Sequence, residues 1–283
     1  MTEVGHAVAR VRENTLNTIF GQPNRVLIGV VHLLPLPASP DYSGGGVEAI
    51  YARALGDARA YADAGFHGLI VENHGDIPFS KPEDIGPETA AHMAIATDRV
   101  RAATGLPIGI NVLANAALHA LAIASAASAR FVRVNQWANA YVANEGLIEG
   151  AAAKAMRYRS ALQAHGVKIF ADAHVKHGAH AIVQDRPIVE LVRDVEFFNA
   201  DVVIFTGQRT GHAADLDYLR KIRAAASLPT LVGSGVDPDN LNDILAIVDG
   251  VIVASSLKVD GLWWNPVDRQ RAKQFVARAG EAS

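Results

Sequence analysis

Five side chains able to transfer protons or bind metal stand at the ends of apolar runs: His32, Glu72, His74, Asp172 and His174. In Phe170-Ala171-Asp172-Ala173-His174, strand alternation puts Asp172 and His174 on one face with Phe170. A carboxylate and an imidazole two residues apart at a strand end suit either a divalent metal or an acid/base pair. The plainer alternative is that Asp172 bonds a neighbouring loop, but a buried carboxylate without a role is costly. Glu72 shares a face with Ile70 at the end of an apolar run, so it reads as a catalytic or metal-binding carboxylate rather than a solvated one. Glu72, Asp172 and His174 are therefore the candidate ligands of a divalent ion, the one cofactor these residues leave open. His32 is in phase with Val26, Ile28 and Val30, as a site residue or as a satisfied core histidine. Lys176 follows in the segment HVKH; a Schiff-base role is the weaker reading, because it lies beyond the strand.

Other residues in the pattern would hold a substrate. Asn111 and Asn135 close further runs, and uncharged amides there would orient hydroxyls of a sugar-like ligand or an ordered water. Arg209 and His212, in GQRTGH, could clamp an anion. The last two runs end in Gly233-Ser234-Gly235 and Ala254-Ser255-Ser256-Leu257-Lys258. Small residues there let backbone N–H groups approach an oxyanion, and a helix expected after Gly235 would add its dipole. Tight turns that need glycine are the bland alternative, but both loops carry the pattern together. Trp263 and Trp264 read as packing residues, and Pro35, Pro37 and Pro40 as stiffeners of the first loop.

The elements that must position these groups follow from periodicity. Eight β-branched runs begin at Val26, Gly68, Pro107, Phe131, Val167, Asp201, Pro229 and Asp249. Helix-period segments lie between and after them, at about 47–65, 86–104, 115–127, 148–165, 187–199, 214–226, 237–247 and 266–279. Strand starts spaced this way leave room for a crossover helix each time, and eight such units predict a single α/β domain, a (β/α)8 TIM barrel. An open doubly wound sheet is the runner-up, but Gly44-Gly45-Gly46 comes too late and lacks the GxGxxG spacing. Residues 1–25 read as an amphipathic helical leader covering the N-terminal mouth, and 26–283 as the barrel. In such a barrel the strand C-termini and βα loops build the active site, which is where the candidates above fall.

Composition removes whole classes of function. The 283 residues carry 26 basic and 29 acidic side chains, a formal net charge of -3, so there is no basic footprint for nucleic acid. The chain has no cysteine, which excludes disulfides, thiol nucleophiles and thiolate metal sites. The start lacks the layout of a secretory signal, and no run reaches 18 uninterrupted apolar residues. The expectation is a cytoplasmic protein with no transmembrane segment and a tendency to homo-oligomerise, with peripheral membrane association left open.

Taken together, GVVHLLPLPASP, LIVENHGDIPF, FADAHVKH, TGQRTG, GSGV and DGVIVASSLKVDG resemble the BtpA/SgcQ family from about Val26 to Phe275. The resemblance implies a TIM barrel. It implies less about chemistry, since the family takes one name from a photosystem I biogenesis factor and the other from a sugar-utilisation cluster. Two functions follow as expectations. One is an enzyme on a phosphorylated sugar or ribosyl-phosphate compound: an isomerase, a lyase or an enzyme cleaving a glycosidic C–N bond. Its phosphate would sit on Gly233 to Gly235 with Ser255 and Ser256, Glu72 and Asp172 acting as base and acid or holding a divalent ion. The other is a non-catalytic biogenesis or stability factor for a membrane complex. A ligand-sensing barrel without turnover would share every site of the first.

Overall fold

A computed structural model describes residues 14–175, 178–206 and 216–281. The strands are β1 (Val26–His32), β2 (Gly68–Glu72), β3 (Ile108–Asn111), β4 (Phe131–Val134), β5 (Ala140–Ala143), β6 (Gly146–Glu149), β7 (Lys168–His174), β8 (Val202–Thr206), β9 (Thr230–Gly233) and β10 (Gly250–Val253). Eight of them close into a parallel barrel in the order β1-β10-β9-β8-β7-β4-β3-β2. The helices are α1 (Thr15–Phe20), α2 (Glu48–Ala64), α3 (Pro87–Thr104), α4 (Ala117–Ala126), α5 (Ala152–Ala161), α6 (Ile188–Phe197), α7 (Leu216–Ala225), α8 (Leu241–Leu245) and α9 (Arg269–Gly280). From α2 onward a helix follows each barrel strand, so the fold is the TIM barrel that the spacing of the apolar runs predicts.

Alternation along each strand builds two cores. Inward-facing Val26, Ile28, Val30, Ile70, Phe131, Phe170, Val202, Ile204, Leu231 and Ile252 fill the barrel. Their neighbours Leu27, Val31, Leu69, Val71, Val132, Val203 and Val251 face out and pack with the helices. Phe131 and Phe170 stack with ring centroids 4.2 Å apart and fill much of the interior. Gly109 on β3 is required by this: a Cβ there would lie 2.2 Å from the Phe131 ring. The helix α1 supplies Leu16 and Ile19 to the same interior cluster, and Phe20 meets both stacked rings edge-on. Within the expected leader, only this short helix falls among the described residues; residues 1–13 lie outside them.

Two elements differ from expectation. The helix expected from 148 begins at Ala152, because residues 140–149 form the β5–β6 hairpin, with Gly146 at φ 100° in the turn. The hairpin is bridged to the loop after β7 through Val142 and Ala179 and walls one side of the C-terminal mouth. The helix expected at 237–247 shrinks to Leu241–Leu245, because Asp237 and Asn240 lock the preceding residues into a side-chain-bonded turn. Asp237 Oδ1 accepts from the N–H groups of Asp239 and Asn240. No helix among the described residues is long and apolar enough to cross a membrane.

Candidate functional site

Above the Phe131–Phe170 layer the barrel interior turns polar. Register aligns the last residues of three adjacent strands, His32 beside Glu72 and Glu72 beside Asn111. Residues far apart in sequence thus form one row at the strand C-termini. Glu72 is 5% exposed. One of its oxygens, Oε2, accepts from Asn111 Nδ2 at 2.7 Å. The other, Oε1, lies 3.0 Å from His74 Nδ1 and 3.6 Å from His32 Nε2. The two imidazoles stack with centroids 4.4 Å apart, and Trp263 packs edge-on against both. The carbonyl of Trp263 is 3.2 Å from His32 Nδ1 and can only accept, so this bond places the proton of His32 on Nδ1.

The electrostatics of the row are set by burial and by these contacts. Burial pushes His32 down to about 3, which keeps it neutral at pH 7. Burial alone would push Glu72 up, but the His74 hydrogen bond and the surrounding positive partners outweigh it and hold the carboxyl below the usual range. Across the mouth, Arg133 on β4 donates to both oxygens of Asp172 on β7, Nε at 3.1 Å and Nη2 at 2.9 Å. Burial pushes Asp172 up while the guanidinium and Asn135 oppose the shift. A Cβ at Gly233 would be tightest against Ile204 Cγ2, at 3.2 Å, and would only touch Arg133 Nη2 at 3.4 Å.

These groups surround a cavity of about 430 Å³ at the C-terminal mouth. His32, Glu72, His74, Asn111, Arg133, Asn135, Ser234, Ser255, Tyr141 and Trp263 line it. The volume is within the size range of small-molecule pockets. Of the residues expected from the sequence, His32, Glu72, Asn111, Asn135, Ser234 and Ser255 therefore meet at one cavity. Lys176, Arg209, His177 and His212 lie outside the described residues.

Several expectations are corrected. Asp172 and His174 do not join Glu72 as a ligand set. Asp172 is taken by Arg133, and a register shift between Asp172 and His174 turns the histidine away. His174 stacks on His180 at 3.8 Å and lines a separate pocket with Arg186 and Tyr218, where burial holds it down to about 4. Among the described residues, the metal-capable trio is instead His32, Glu72 and His74. The Ser256 hydroxyl donates to the carbonyl of Val236 at 2.8 Å, so it braces the loop. Gly235, at φ 73°, also turns inward to the loop, its carbonyl accepting from Asn240. The helix dipole expected after Gly235 is not in place, since α8 starts at Leu241 and Asp237 occupies the intervening N–H groups. Trp263 lines the ligand cavity as well as packing.

Arg133 carries only a faint signal in the sequence: it stands in phase with Phe131 but looks like a charged interruption of an apolar run. His74 shows there only as a titratable residue past the strand end, and only folding brings its ring over Glu72.

The sequence matches the BtpA family over residues 23–281. The chain belongs to the BtpA family. A BtpA-family relative, the photosystem I biogenesis protein BtpA of Synechocystis, is 40% identical over 261 residues, 92% of this chain and 90% of its own length. An uncharacterized protein of Pyrococcus abyssi is 41% identical over 253 residues, 89% of this chain and 95% of its own. Among solved structures, the N-(5'-phosphoribosyl)anthranilate isomerase of Pyrococcus furiosus superposes with a TM-score of 0.57 at 11% identity, covering 91% of this chain and 99% of that one. At that identity the likeness is one of fold.

Proposed function

We propose that the chain is an enzyme whose active site is the C-terminal mouth, and that its substrate is a phosphorylated sugar-like or ribosyl-phosphate compound. The observation that carries this reading is Glu72: a buried, ionised carboxylate held by His32, His74 and Asn111 against a cavity rather than inside packed core. Keeping a charge out of water is costly, and side chains from the two flanking strands and the loop after β2 hold this one at a surface only a small ligand can reach. In this reading Glu72 takes or orients a substrate proton and His74, the more exposed imidazole, relays it to solvent. Arg133, braced by Asp172, provides positive charge for a developing oxyanion. Isomerisation, aldol-type cleavage and glycosidic C–N cleavage all share these needs.

The phosphate end is supported by Ser234 and Ser255, which reach the same cavity from the loops after β9 and β10. Those two loops are the recurrent phosphate-binding loops of TIM barrels. The Pyrococcus furiosus isomerase, alike in fold, is itself named for a phosphoribosyl compound. The name of the Synechocystis relative favours a second reading, a biogenesis factor for a membrane complex. Such a factor needs a contact surface, and Phe197 and Phe198 at the end of α6 form an exposed apolar pair suited to one.

A thermal-shift series with inorganic phosphate, ribose 5-phosphate and hexose phosphates tests the substrate class. A ligand at 100 times its dissociation constant stabilises by about 2.7 kcal/mol. Stabilisation lost on Ser255→Asp, together with turnover lost on Glu72→Gln while ligand binding persists, is the expected result. No stabilisation by any phosphate compound would overturn the substrate class and favour the second reading.

A further inference from the structure

His32, Glu72 and His74 present two imidazole nitrogens and one carboxylate oxygen that all lie within 4.8 Å of one another. The separations to Glu72 Oε1 are 3.0 and 3.6 Å. Ligand atoms bonded to one first-row metal at about 2.0–2.2 Å stand roughly 3.0–3.5 Å apart, so small rotations of the rings bring the trio to coordination distance. We propose that these three residues form a divalent transition-metal site at the rim of the cavity, with the remaining coordination positions facing the substrate.

Three features point to a cation. The first is the geometry at His32: with Nδ1–H donated to the Trp263 carbonyl, the ring turns Nε2 toward Glu72 Oε1. At 3.6 Å the two atoms are too far apart for a hydrogen bond, in a site only 8% exposed at His32, and an ion ligated by both would sit between them. The second is the outer support. Asn111 holds Glu72 Oε2 and so leaves Oε1 for the metal, and the Trp263 carbonyl holds His32 by its other nitrogen. Metal-bound histidines and carboxylates are oriented by partners of this kind. The third is an orphan. Asn111 Oδ1, on a residue only 1% exposed, has no hydrogen-bond partner, although the residue lines the cavity. A metal-bound water would supply the missing donor.

The donor set selects the metal class. Two imidazoles with one carboxylate suit manganese, iron, cobalt, nickel or zinc, whereas magnesium and calcium prefer all-oxygen sites. His74 currently donates through Nδ1, so ligation by that atom displaces its proton, and the bound ion takes over its contact with Glu72. An open-sided metal here would polarise a substrate hydroxyl or carbonyl, which deepens the active-site reading and rests on it for the purpose of the ion.

Metal uptake is measured without turnover. Full-length protein stripped with a chelator is titrated with Zn²⁺, Mn²⁺ and Co²⁺ by calorimetry. Bound metal is counted by mass spectrometry after gel filtration, and the Co²⁺ form is read by its visible d–d absorption. The expected result is one ion per chain, a Co²⁺ spectrum with nitrogen ligation, and affinity weakened at least 100-fold in His74→Ala and His32→Ala but unchanged in His119→Ala. His74 is the most exposed of the three, so His74→Ala keeps the test intact should Glu72→Gln fail to fold. Less than 0.1 ion per chain for every metal, or uptake undiminished in the His32→Ala/His74→Ala double variant, would overturn the site. Uptake lost in His74→Ala without turnover of any sugar phosphate upholds the metal site and counts against the substrate class. Phosphate-dependent turnover by chelator-stripped protein does the reverse.

Discussion

Lys258 follows the Ser255–Leu257 turn at the cavity edge, yet its ammonium is 0% exposed. It donates to Asp57 Oδ2 at 2.6 Å, while Asp57 Oδ1 accepts the Val267 N–H at 2.8 Å and has Arg53 Nε at 3.4 Å. One carboxylate on α2 therefore pins both ends of the segment 258–267, which carries Trp263 and directly follows the Ser255–Leu257 turn. Lys258→Met keeps the stem and removes the charge, which strands Asp57 in the interior. Breaking a buried pair from one side costs about 3–5 kcal/mol, and the remaining contacts to Val267 and Arg53 favour the lower end of that range. Asp57→Leu leaves the ammonium instead. Its cost is bounded at pH 7 by about 5 kcal/mol, because the lysine can give up its proton from an ordinary value of 10.5. For a chain of this size either loss lowers Tm by roughly 5–8 °C. The double variant Asp57→Leu/Lys258→Met replaces the pair by apolar groups and should recover most of the loss. Denaturant unfolding of the four proteins closes the cycle. In Asp57→Leu the folded pKa of Lys258 lies below the unfolded one, so the unfolded chain binds more protons between them. Stability must then rise with pH across that window up to about 10.5. Single variants each costing under about 1 kcal/mol, with an additive double, would refute the reasoning, for then the ammonium is not desolvated and something else anchors the loop.

Further outcomes follow from other contacts. Arg133→Leu leaves the buried Asp172 without its guanidinium, and should cost about 3–5 kcal/mol in denaturant unfolding, with part regained in Arg133→Leu/Asp172→Leu. Gly109→Ala drives a Cβ into the Phe131 ring and should cost about 1–3 kcal/mol, whereas Gly56→Ala on α2, with open space around it, should be neutral or stabilising by the same assay. His67 Nδ1 accepts the Leu27 N–H at 2.9 Å, and burial lowers its pKa below 6.5. The unfolded chain then binds the extra proton, so this histidine makes stability fall as pH drops below 6.5, by at most about 1.4 kcal/mol per unit. His67→Gln, which retains an acceptor, should flatten the stability curve between pH 6.5 and 5; an unchanged slope would show that His67 does not titrate there.

The barrel was legible because its signal is local and repeated. Each strand is a short β-branched run buried on both faces, each helix carries its own 3.6-residue period, and eight repeats leave few architectures. The placement of Glu72, His32, Asn111, Ser234 and Ser255 at one end follows from phase along each strand and from the rule that strand C-termini face the site. Phase alone could not say which groups meet across strands. The row of His32, Glu72 and Asn111 depends on the register of three strands, and the Arg133–Asp172 pair on that of β4 against β7. One register shift after Asp172 was enough to send His174 to His180 rather than toward Glu72. The same holds for Asp237 closing the turn before α8 and for His74 folding back over Glu72: short polar side chains bond whatever the folded backbone brings near. Periodicity in the chain thus determined the barrel, its polar end and the residue types gathered there. Tertiary contacts alone decided the pairings among those residues, because hydrogen bonds and ion pairs act over about 3 Å and no one-dimensional pattern encodes distance at that scale.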